Sequence, residues 1–153
     1  MVNNKRNNSS GFTLVELLIV IAIIAIIAVI AIPNLLSALQ KGRQKTTMGD
    51  MSSIGKAVES YLADNTVAPS GTMEEINPIL QPFFLKRLPK DDGWGNVFQY
   101  TSEWDIYSIG SGGRDNSVVD WSQFGEYVCM SITDYLNDII YSGGQFVYFP
   151  RIK

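Results

Sequence analysis

The sequence predicts an α+β protein in which one long N-terminal helix packs on a small antiparallel β-sheet. The first observation is an apolar run from Phe12 to Ile32 that leads into a segment with apolar residues every three or four positions. Such spacing is typical of a helix with one core-facing side. The second observation is a series of short aromatic and β-branched stretches, separated by glycine and asparagine, which predict strands in the last third of the chain.

The apolar run is long enough to cross a membrane, because about 20 apolar residues span the hydrocarbon core. Between Glu16 and Pro33 every residue is Leu, Ile, Val or Ala. An acid at the centre of such a span costs about 2.5 kcal/mol or more, so Glu16 requires a partner. A cleaved secretory signal is an alternative, but the apolar core of such signals usually has about 7–15 residues, and the run in this chain is longer. A plain single-span anchor explains the length and leaves Glu16 unexplained.

We expect one helix from about Phe12 to Ala63, with a kink or a loosened turn at Pro33 because proline has no backbone donor. Residues 41–47 form a polar collar whose basic residues suit the headgroup level of a membrane. The first half of the helix is apolar all round, which predicts packing in a membrane or in a filament core. The second half should pack on the chain's own domain through one face: Met51, Ile54, Val58, Tyr61 and Leu62.

The remainder of the chain predicts a second, short helix and three strands. Met73 to Leu80 should be helical, with Thr72 and Glu75 forming a capping box. Glu103 lies at a tight connection between two strand-like runs, which predicts a hairpin. The predicted strands are Val97 to Thr101, Trp104 to Ile109, and Gln145 to Phe149.

Composition narrows the function. The 153 residues carry a net charge of −3, which argues against a general nucleic-acid binder. The absence of histidine and the single Cys129 exclude an intramolecular disulfide and a Cys/His zinc site. We interpret Cys129 as a small buried apolar residue. Because nucleophile motifs and phosphate loops are also missing, we predict that the chain is not an enzyme; a membrane-tethered enzyme that uses paired carboxylates is the less favoured alternative.

The N-terminal order of residues resembles a known processing signal. Gly11-Phe12-Thr13-Leu14-Val15-Glu16, the apolar run and then Pro33 are similar to the class III signal of type IV pilins and type II secretion pseudopilins. This resemblance implies that a prepilin peptidase cleaves between Gly11 and Phe12 and that the new terminal Phe12 is N-methylated. It also implies a domain division into a cleaved leader (1–11), a transmembrane and filament-core helix (12–40), and a globular pilin domain (41–153) that is periplasmic or extracellular.

The resemblance supplies a partner for Glu16. After cleavage the α-amine of Phe12 is charged at neutral pH, and Glu16 of one subunit can meet it in a neighbouring subunit. Two charges in a low dielectric are tolerated when they are paired. Pro33 is the third residue assigned to assembly. The implied partners are other copies of the chain, the prepilin peptidase, the inner-membrane assembly platform, minor pilins or pseudopilins, and the membrane, but no nucleic acid.

Orientation in the bacterial inner membrane follows from the resemblance and not from charge. Lys5 and Arg6 precede the span, while Lys41, Arg43 and Lys45 follow it, so the positive-inside rule does not fix the direction. The resemblance implies a single-pass protein with a periplasmic globular domain. Its later location would be a periplasmic pseudopilus or a cell-surface pilus.

A second stretch of residues, 92–110, resembles one branch of this superfamily more specifically, the G-type major pseudopilin of type II secretion. Asp92-Gly-Trp-Gly-Asn-Val-Phe-Gln-Tyr100 and Tyr107-Ser-Ile-Gly110 are similar to its D-P-W-G-N-x-Y-x-Y and Y-S-x-G motifs, with Gly93 in place of proline. The implied function is a structural subunit that polymerises through its N-terminal helix and serves protein secretion. The alternatives are the major subunit of an extended type IV pilus and a minor or tip adhesin.

G-type pseudopilins bind calcium in the loop after the Y-S-x-G turn, so the resemblance implies a calcium site here. Calcium takes six to eight oxygen ligands. Arg114 opposes such a site, and a solvated turn explains the same residues equally well. A second acidic pair, Asp134 and Asp138, is spaced for one helix face, with plain surface residues as the alternative. The candidate ligands are Asp115, Asn116 and Asp120, with the carbonyls of Ile109 and Gly112.

Overall fold

The computed structural model describes residues 11–151, and every structural statement below refers to them. The regular structure consists of two helices, five strands and two 3₁₀ turns. The helices are α1 (Leu14–Asn65) and α2 (Met73–Leu80); the strands are β1 (Gln99–Glu103), β2 (Ile106–Ser111), β3 (Gly125–Tyr127), β4 (Ile139–Ser142) and β5 (Gln145–Pro150); the 3₁₀ turns are Gly113–Asp115 and Ile132–Leu136.

The long predicted helix is confirmed, with ends two residues later than expected. α1 has 52 residues and continues through Pro33 without interruption, and the predicted kink or loosened turn at this proline stays a prediction. At the C-terminal end the Thr66 N–H donates to the Leu62 carbonyl at 2.7 Å. Thr66 has a φ of 60°, the left-handed backbone with which helices commonly end.

The chain divides into two compact units, one ending at Leu36 and the other beginning at Ser37. In the described part of the first unit no side chain is buried. The second unit contains the hydrophobic core. The division falls close to the predicted boundary between residues 40 and 41, but cleavage of a leader and insertion in a membrane stay predictions.

The five strands form one sheet in the order β1-β2-β4-β5-β3. The pairs β1/β2, β2/β4 and β4/β5 are antiparallel. The edge strand β3 pairs with β5 in parallel, so the predicted α+β arrangement on a small antiparallel sheet is confirmed, with one parallel pair that makes the sheet mixed. β3 has three residues and contains Gly125, which makes it too short to show an alternating pattern in the sequence.

The predicted hairpin exists, but its turn lies two residues further along. Glu103 is the last residue of β1 and pairs with Ile106. Trp104, expected in a strand, is the first residue of the turn, with a φ of 55°. Two-residue hairpin turns need positive φ at their first position, and the Ala68 N–H holds this turn by donating to the Trp104 carbonyl at 2.8 Å.

The core lies between the second part of α1 and the sheet. Met51, Ile54 and Val58 are fully buried, and Tyr61 and Leu62 pack against the core at its edge, so the predicted face is confirmed. The strands contribute alternate residues to the core, as expected for a sheet with one buried face. These strand residues are Tyr107, Ile109, Ile139 and Tyr141.

Two specific contacts fix the helix on the sheet. The Tyr107 hydroxyl bonds to the Gly55 carbonyl at 3.1 Å and to Glu59 Oε1 at 3.0 Å. Burial, together with Glu59, raises the pKa of Tyr107, so this hydroxyl keeps its proton and donates. The Tyr141 ring occupies the space where a Cβ on Gly55 would lie. Glycine is therefore required here for close approach of helix and strand.

The contacts of Gly93 with α1 explain why glycine stands here in place of the proline of the G-type motif. A Cβ on Gly93 would meet the backbone carbonyl of Arg43 on α1. The Gly93 N–H donates to Thr47 Oγ1 at 2.9 Å, and that hydroxyl donates to the Arg43 carbonyl at 2.9 Å. A proline at this position would supply no N–H. The loop therefore approaches α1 more closely than a side chain would permit.

The short helix α2 is confirmed at its predicted bounds. The Thr72 N–H donates to Glu75 Oε2 at 2.7 Å, and the Glu75 N–H donates to the Thr72 carbonyl at 3.0 Å. The predicted pairing of Thr72 and Glu75 is thus present. It satisfies two backbone donors at the start of α2.

Candidate assembly site

The predicted processing residues lie before the first helical turn. Gly11, Phe12 and Thr13 precede α1, and all three are exposed. The Phe12 side chain is 76% exposed, and no atom lies within 4 Å of the position of a Cβ on Gly11. The bond between Gly11 and Phe12 is therefore accessible in this chain. Cleavage there and N-methylation stay predictions.

Glu16 has a local partner that the sequence analysis missed. Its Oε2 accepts hydrogen bonds from the Thr13 N–H at 2.9 Å and from Thr13 Oγ1 at 2.8 Å. The Glu16 N–H in turn donates to Thr13 Oγ1 at 3.3 Å. This is a capping box, and the spacing Thr13-x-x-Glu16 is its signal in the sequence. In the single chain, Glu16 stabilises the start of its own helix.

The helix after Glu16 presents an uncovered apolar surface. None of the side chains from Leu14 to Leu36 is buried; Ile24 is 59% and Ile30 is 67% exposed. By length and composition α1 is the one helix of the described residues that is able to cross a membrane. An apolar surface of this extent indicates a contact with lipid or with other protein chains.

Pro33 lies within this uncovered surface. Its missing N–H leaves one carbonyl of the preceding turn without a helical donor. Beside it, the Asn34 side chain donates from Nδ2 to the Ile30 carbonyl at 3.1 Å. This extra bond strengthens the turn next to the proline and is consistent with the uninterrupted helix.

The loop predicted to bind calcium brings only part of its candidate residues together. Ile109 lies in β2 between β1 and β4, so its carbonyl faces a neighbouring strand. The Gly112 carbonyl accepts a hydrogen bond from Ser117 Oγ at 3.4 Å, and Asp115 Oδ1 accepts one from the Ser117 N–H at 3.3 Å. Asn116 adopts a left-handed backbone with a φ of 56°.

Asp120 and Asp138 meet at the other end of this loop. The Asp120 N–H donates to Asp138 Oδ2 at 2.8 Å, and Ser117 Oγ donates to Asp138 Oδ1 at 3.3 Å. The Asp120 carboxylate accepts bonds from Ser122 and Gln123, and these donors lower its pKa. Asp138 is 5% exposed, and burial raises its pKa.

The hydrogen bonds of the Asp138 carboxylate therefore link the loop to the start of β4. The expectation that Asp134 and Asp138 share a helix face is wrong, because the 3₁₀ turn ends at Leu136. Asp134 instead accepts the N–H groups of Met130 and Ser131. Within residues 11–151 no cluster of three or more acidic, histidine or cysteine side chains has a metal-holding arrangement. The loop as described does not fit the predicted calcium ligand set, and calcium binding stays a prediction.

Comparison with known proteins covers both parts of the chain. The family model described as the prokaryotic N-terminal methylation motif matches residues 6–32. The model of type II secretion system (T2SS), protein G, matches residues 34–122, more than half of the chain. No solved structure matches.

Relatives named type II secretion system core protein G occur in several bacteria. The relative from Vibrio cholerae is 30% identical over 127 residues, covering 72% of this chain and 86% of its own length. The relative from Aeromonas hydrophila is 31% identical over 138 residues, with 77% and 96% covered. That from Pseudomonas aeruginosa is 29% identical over 129 residues, with 72% and 89% covered. The chain therefore belongs to the family of type II secretion system protein G, the G-type pseudopilins of the type IV pilin-like superfamily.

Proposed function

We infer that this chain is a membrane-anchored structural subunit that polymerises into the pseudopilus of a type II secretion system. The observation that carries the proposal is the uncovered apolar surface of α1 before Ser37, with Glu16 as its one acid. A monomer in water does not keep such a surface exposed. Before assembly the membrane covers it, and after assembly the helices of neighbouring subunits do.

Family membership favours secretion over the alternatives. The relatives bear the name of a secretion-system core protein, and an extended type IV pilus is not favoured. The family is one of structural components, and we propose no catalytic role for this member. The residues 1–11 would be removed by a prepilin peptidase, the span would stay in the inner membrane, and the globular unit would face the periplasm.

We propose that Glu16 exchanges partners when the filament forms. In the single chain its carboxylate accepts two hydrogen bonds from Thr13. In the filament it would face the Phe12 amine of a neighbouring subunit, and this charged pair would set the axial register. Both arrangements use the ionised carboxylate, but only the Phe12 amine brings a full opposite charge, and the exclusion of water strengthens the attraction between two full charges.

The test compares Glu16→Ala, Glu16→Gln and Thr13→Val in a host that lacks the native chain. Both Glu16 variants should insert in the membrane normally but give less than about a tenth of the filaments recovered from lysed cells, and a tenfold loss corresponds to about 1.4 kcal/mol. Thr13→Val removes the capping hydroxyl and keeps the acid, so its filament yield should stay near normal.

Two outcomes would contradict the proposal. If Thr13→Val lost filaments as completely as Glu16→Ala, the acid would act through its own helix start and not through a neighbour. If deletion of the gene left protein secretion intact while long surface filaments disappeared, the chain would serve a pilus. Secretion of a known substrate and electron microscopy of sheared filaments provide the two measurements.

A further inference from the structure

A cleft of about 250 Å³ opens on the unit that begins at Ser37. We call it the basic cleft. It is lined by the α1 segment that carries Lys41 and Lys45, by the segment Val128 to Met130, and by Arg151. The assembly site uses none of these residues. Since the chain as a whole is acidic, with a net charge of −3, a cleft with three cations is a local reversal of charge.

The three cations are available to a ligand. Lys41 and Lys45 are four residues apart on α1, so they lie on the same side of the helix, and both are exposed. Within residues 11–151 neither has an ion pair within 4.0 Å. Arg151 Nε lies 3.7 Å from Glu126 Oε2, and both side chains are more than half exposed. Such an exposed pair is weak and leaves the terminal amino groups of Arg151 free.

The floor of the cleft carries no competing negative charge. Gln44 is 5% exposed, and its Nε2 donates to Cys129 Sγ at 3.4 Å. Cys129 is only partly buried, which corrects the expectation of a fully buried residue. Burial raises the pKa of the Cys129 thiol, so the thiol is neutral at pH 7. The lining of the cleft therefore offers an anion three cations and neutral groups, and the nearby carboxylate of Glu126 is paired with Arg151.

The rim of the cleft is apolar. Met130 is 88% exposed and Val128 is 40% exposed. Along the chain, Lys41 comes two residues after Leu39, which is 52% exposed and ends the apolar surface of α1. Lysine near the end of a membrane helix reaches the headgroup level through its long stem. Cations beside exposed apolar side chains, at this point of the chain, suit the boundary between lipid and water.

We propose that the basic cleft binds the phosphate of an anionic phospholipid. Lys41, Lys45 and Arg151 contact the phosphate, and the planar guanidinium of Arg151 offers it two parallel donors. Val128 and Met130 lie against the upper part of the acyl chains. The consequence is that the lipid holds the globular unit at the membrane surface before the subunit enters a filament. The inference rests on the membrane anchoring of the proposed function.

The experiment measures lipid binding to the full chain in a mild detergent by native mass spectrometry. Phosphatidylglycerol and phosphatidylcholine are added separately and in competition. The unchanged chain should retain phosphatidylglycerol in preference to phosphatidylcholine. Each of Lys45→Gln and Arg151→Gln should lower this preference about fivefold, since one basic residue near an anionic surface contributes about that factor. The triple change with Lys41→Gln should abolish it.

The matched control removes three cations elsewhere in the same unit. Lys56→Gln, Lys86→Gln and Lys90→Gln change the net charge equally and should keep the preference. An equal loss in this control, or no preference in the unchanged chain, would overturn the proposal. Full competition by inorganic phosphate at an equal concentration would also overturn it, because the site would then bind free anions. Thermal unfolding checks that every variant is folded, and a failure here leaves the filament test of Glu16 unaffected.

Discussion

The two parts of α1 share one helical backbone and differ in what covers their side chains. From Leu14 to Leu36 no residue is buried, whereas Met51, Ile54 and Val58 in the later part have no exposed surface. The earlier part is apolar at nearly every position, whereas the later part is mostly polar, with apolar residues at spacings of three and four. The later part has one apolar stripe, which its own sheet can cover. The earlier part is apolar all round, and no element of its own chain can cover it.

Two of the four acids in α1, Glu16 and Glu59, show the same contrast. Glu16 bonds to Thr13, three residues away, while Glu59 bonds to the Tyr107 hydroxyl across the fold at 3.0 Å. The partner of Glu59 is fixed once the chain folds. The partner of Glu16 is local and exposed, so the carboxylate can be reached by a neighbouring subunit. A side chain with only a local partner is available for assembly, and one with a tertiary partner is not.

The largest expected effect comes from truncating one isoleucine in each part of α1. Ile54→Ala removes a fully buried side chain and should lower the free energy of unfolding by about 2–5 kcal/mol, because a cavity remains. Ile24→Ala, whose side chain is 59% exposed, should leave unfolding of the globular unit unchanged. Denaturant unfolding of the full chain in detergent measures both. Equal losses would remove the distinction between the two parts.

Alanine substitutions at two glycines in the later part of α1 should change stability by smaller amounts, and the two changes should have opposite signs. A Cβ on Gly55 would meet the Tyr141 ring, so Gly55→Ala should destabilise the chain by about 1–3 kcal/mol. At Gly49 no atom lies within 4 Å of the added Cβ, and Gly49→Ala should stabilise it by about 0.5–1 kcal/mol. The thermal unfolding midpoint should therefore move in opposite directions. A rise for Gly55→Ala would show that helix and sheet are not in close contact there.

The smallest effect concerns pH and the buried Asp138. Its pKa in the folded chain is raised above the ordinary value of 3.8 by burial, so the folded chain holds this proton where the unfolded chain has lost it. The contribution of Asp138 to stability therefore falls as pH rises from that value through the raised pKa. In Asp138→Asn the fall should be absent, because the amide does not titrate.

The measurement is the unfolding midpoint of both chains between pH 3 and pH 7. The difference in unfolding midpoint, Asp138→Asn minus the unchanged chain, should become more positive as pH rises. Asp105→Asn, at an exposed aspartate of the hairpin turn, controls for the loss of one negative charge. Parallel curves for Asp138→Asn and the unchanged chain would contradict the raised pKa.

Local signals predicted the helices well. The apolar run, the stripe from Met51 to Leu62 and the capping box of Thr72 and Glu75 are written in nearby residues, and each is confirmed. The spacing of Thr13 and Glu16 is the same capping-box signal, although a carboxylate at the start of an apolar run also suggests a distant partner. The hairpin was predicted, although its turn at Trp104 depends on a backbone conformation that the residue type disfavours.

By itself the sequence determined the membrane-length helix, the helical stripe that meets the core, and the motifs that identify the family, because all three depend on the order of neighbouring residues. Only the tertiary structure decided the parallel pairing of β3, the tie from Asp138 to Asp120, the close approach of Gly93 to Arg43, and the basic cleft. Each of these joins residues that are at least 18 positions apart in the chain. Periodicity and propensity carry no information about such distances, so packing has to specify them.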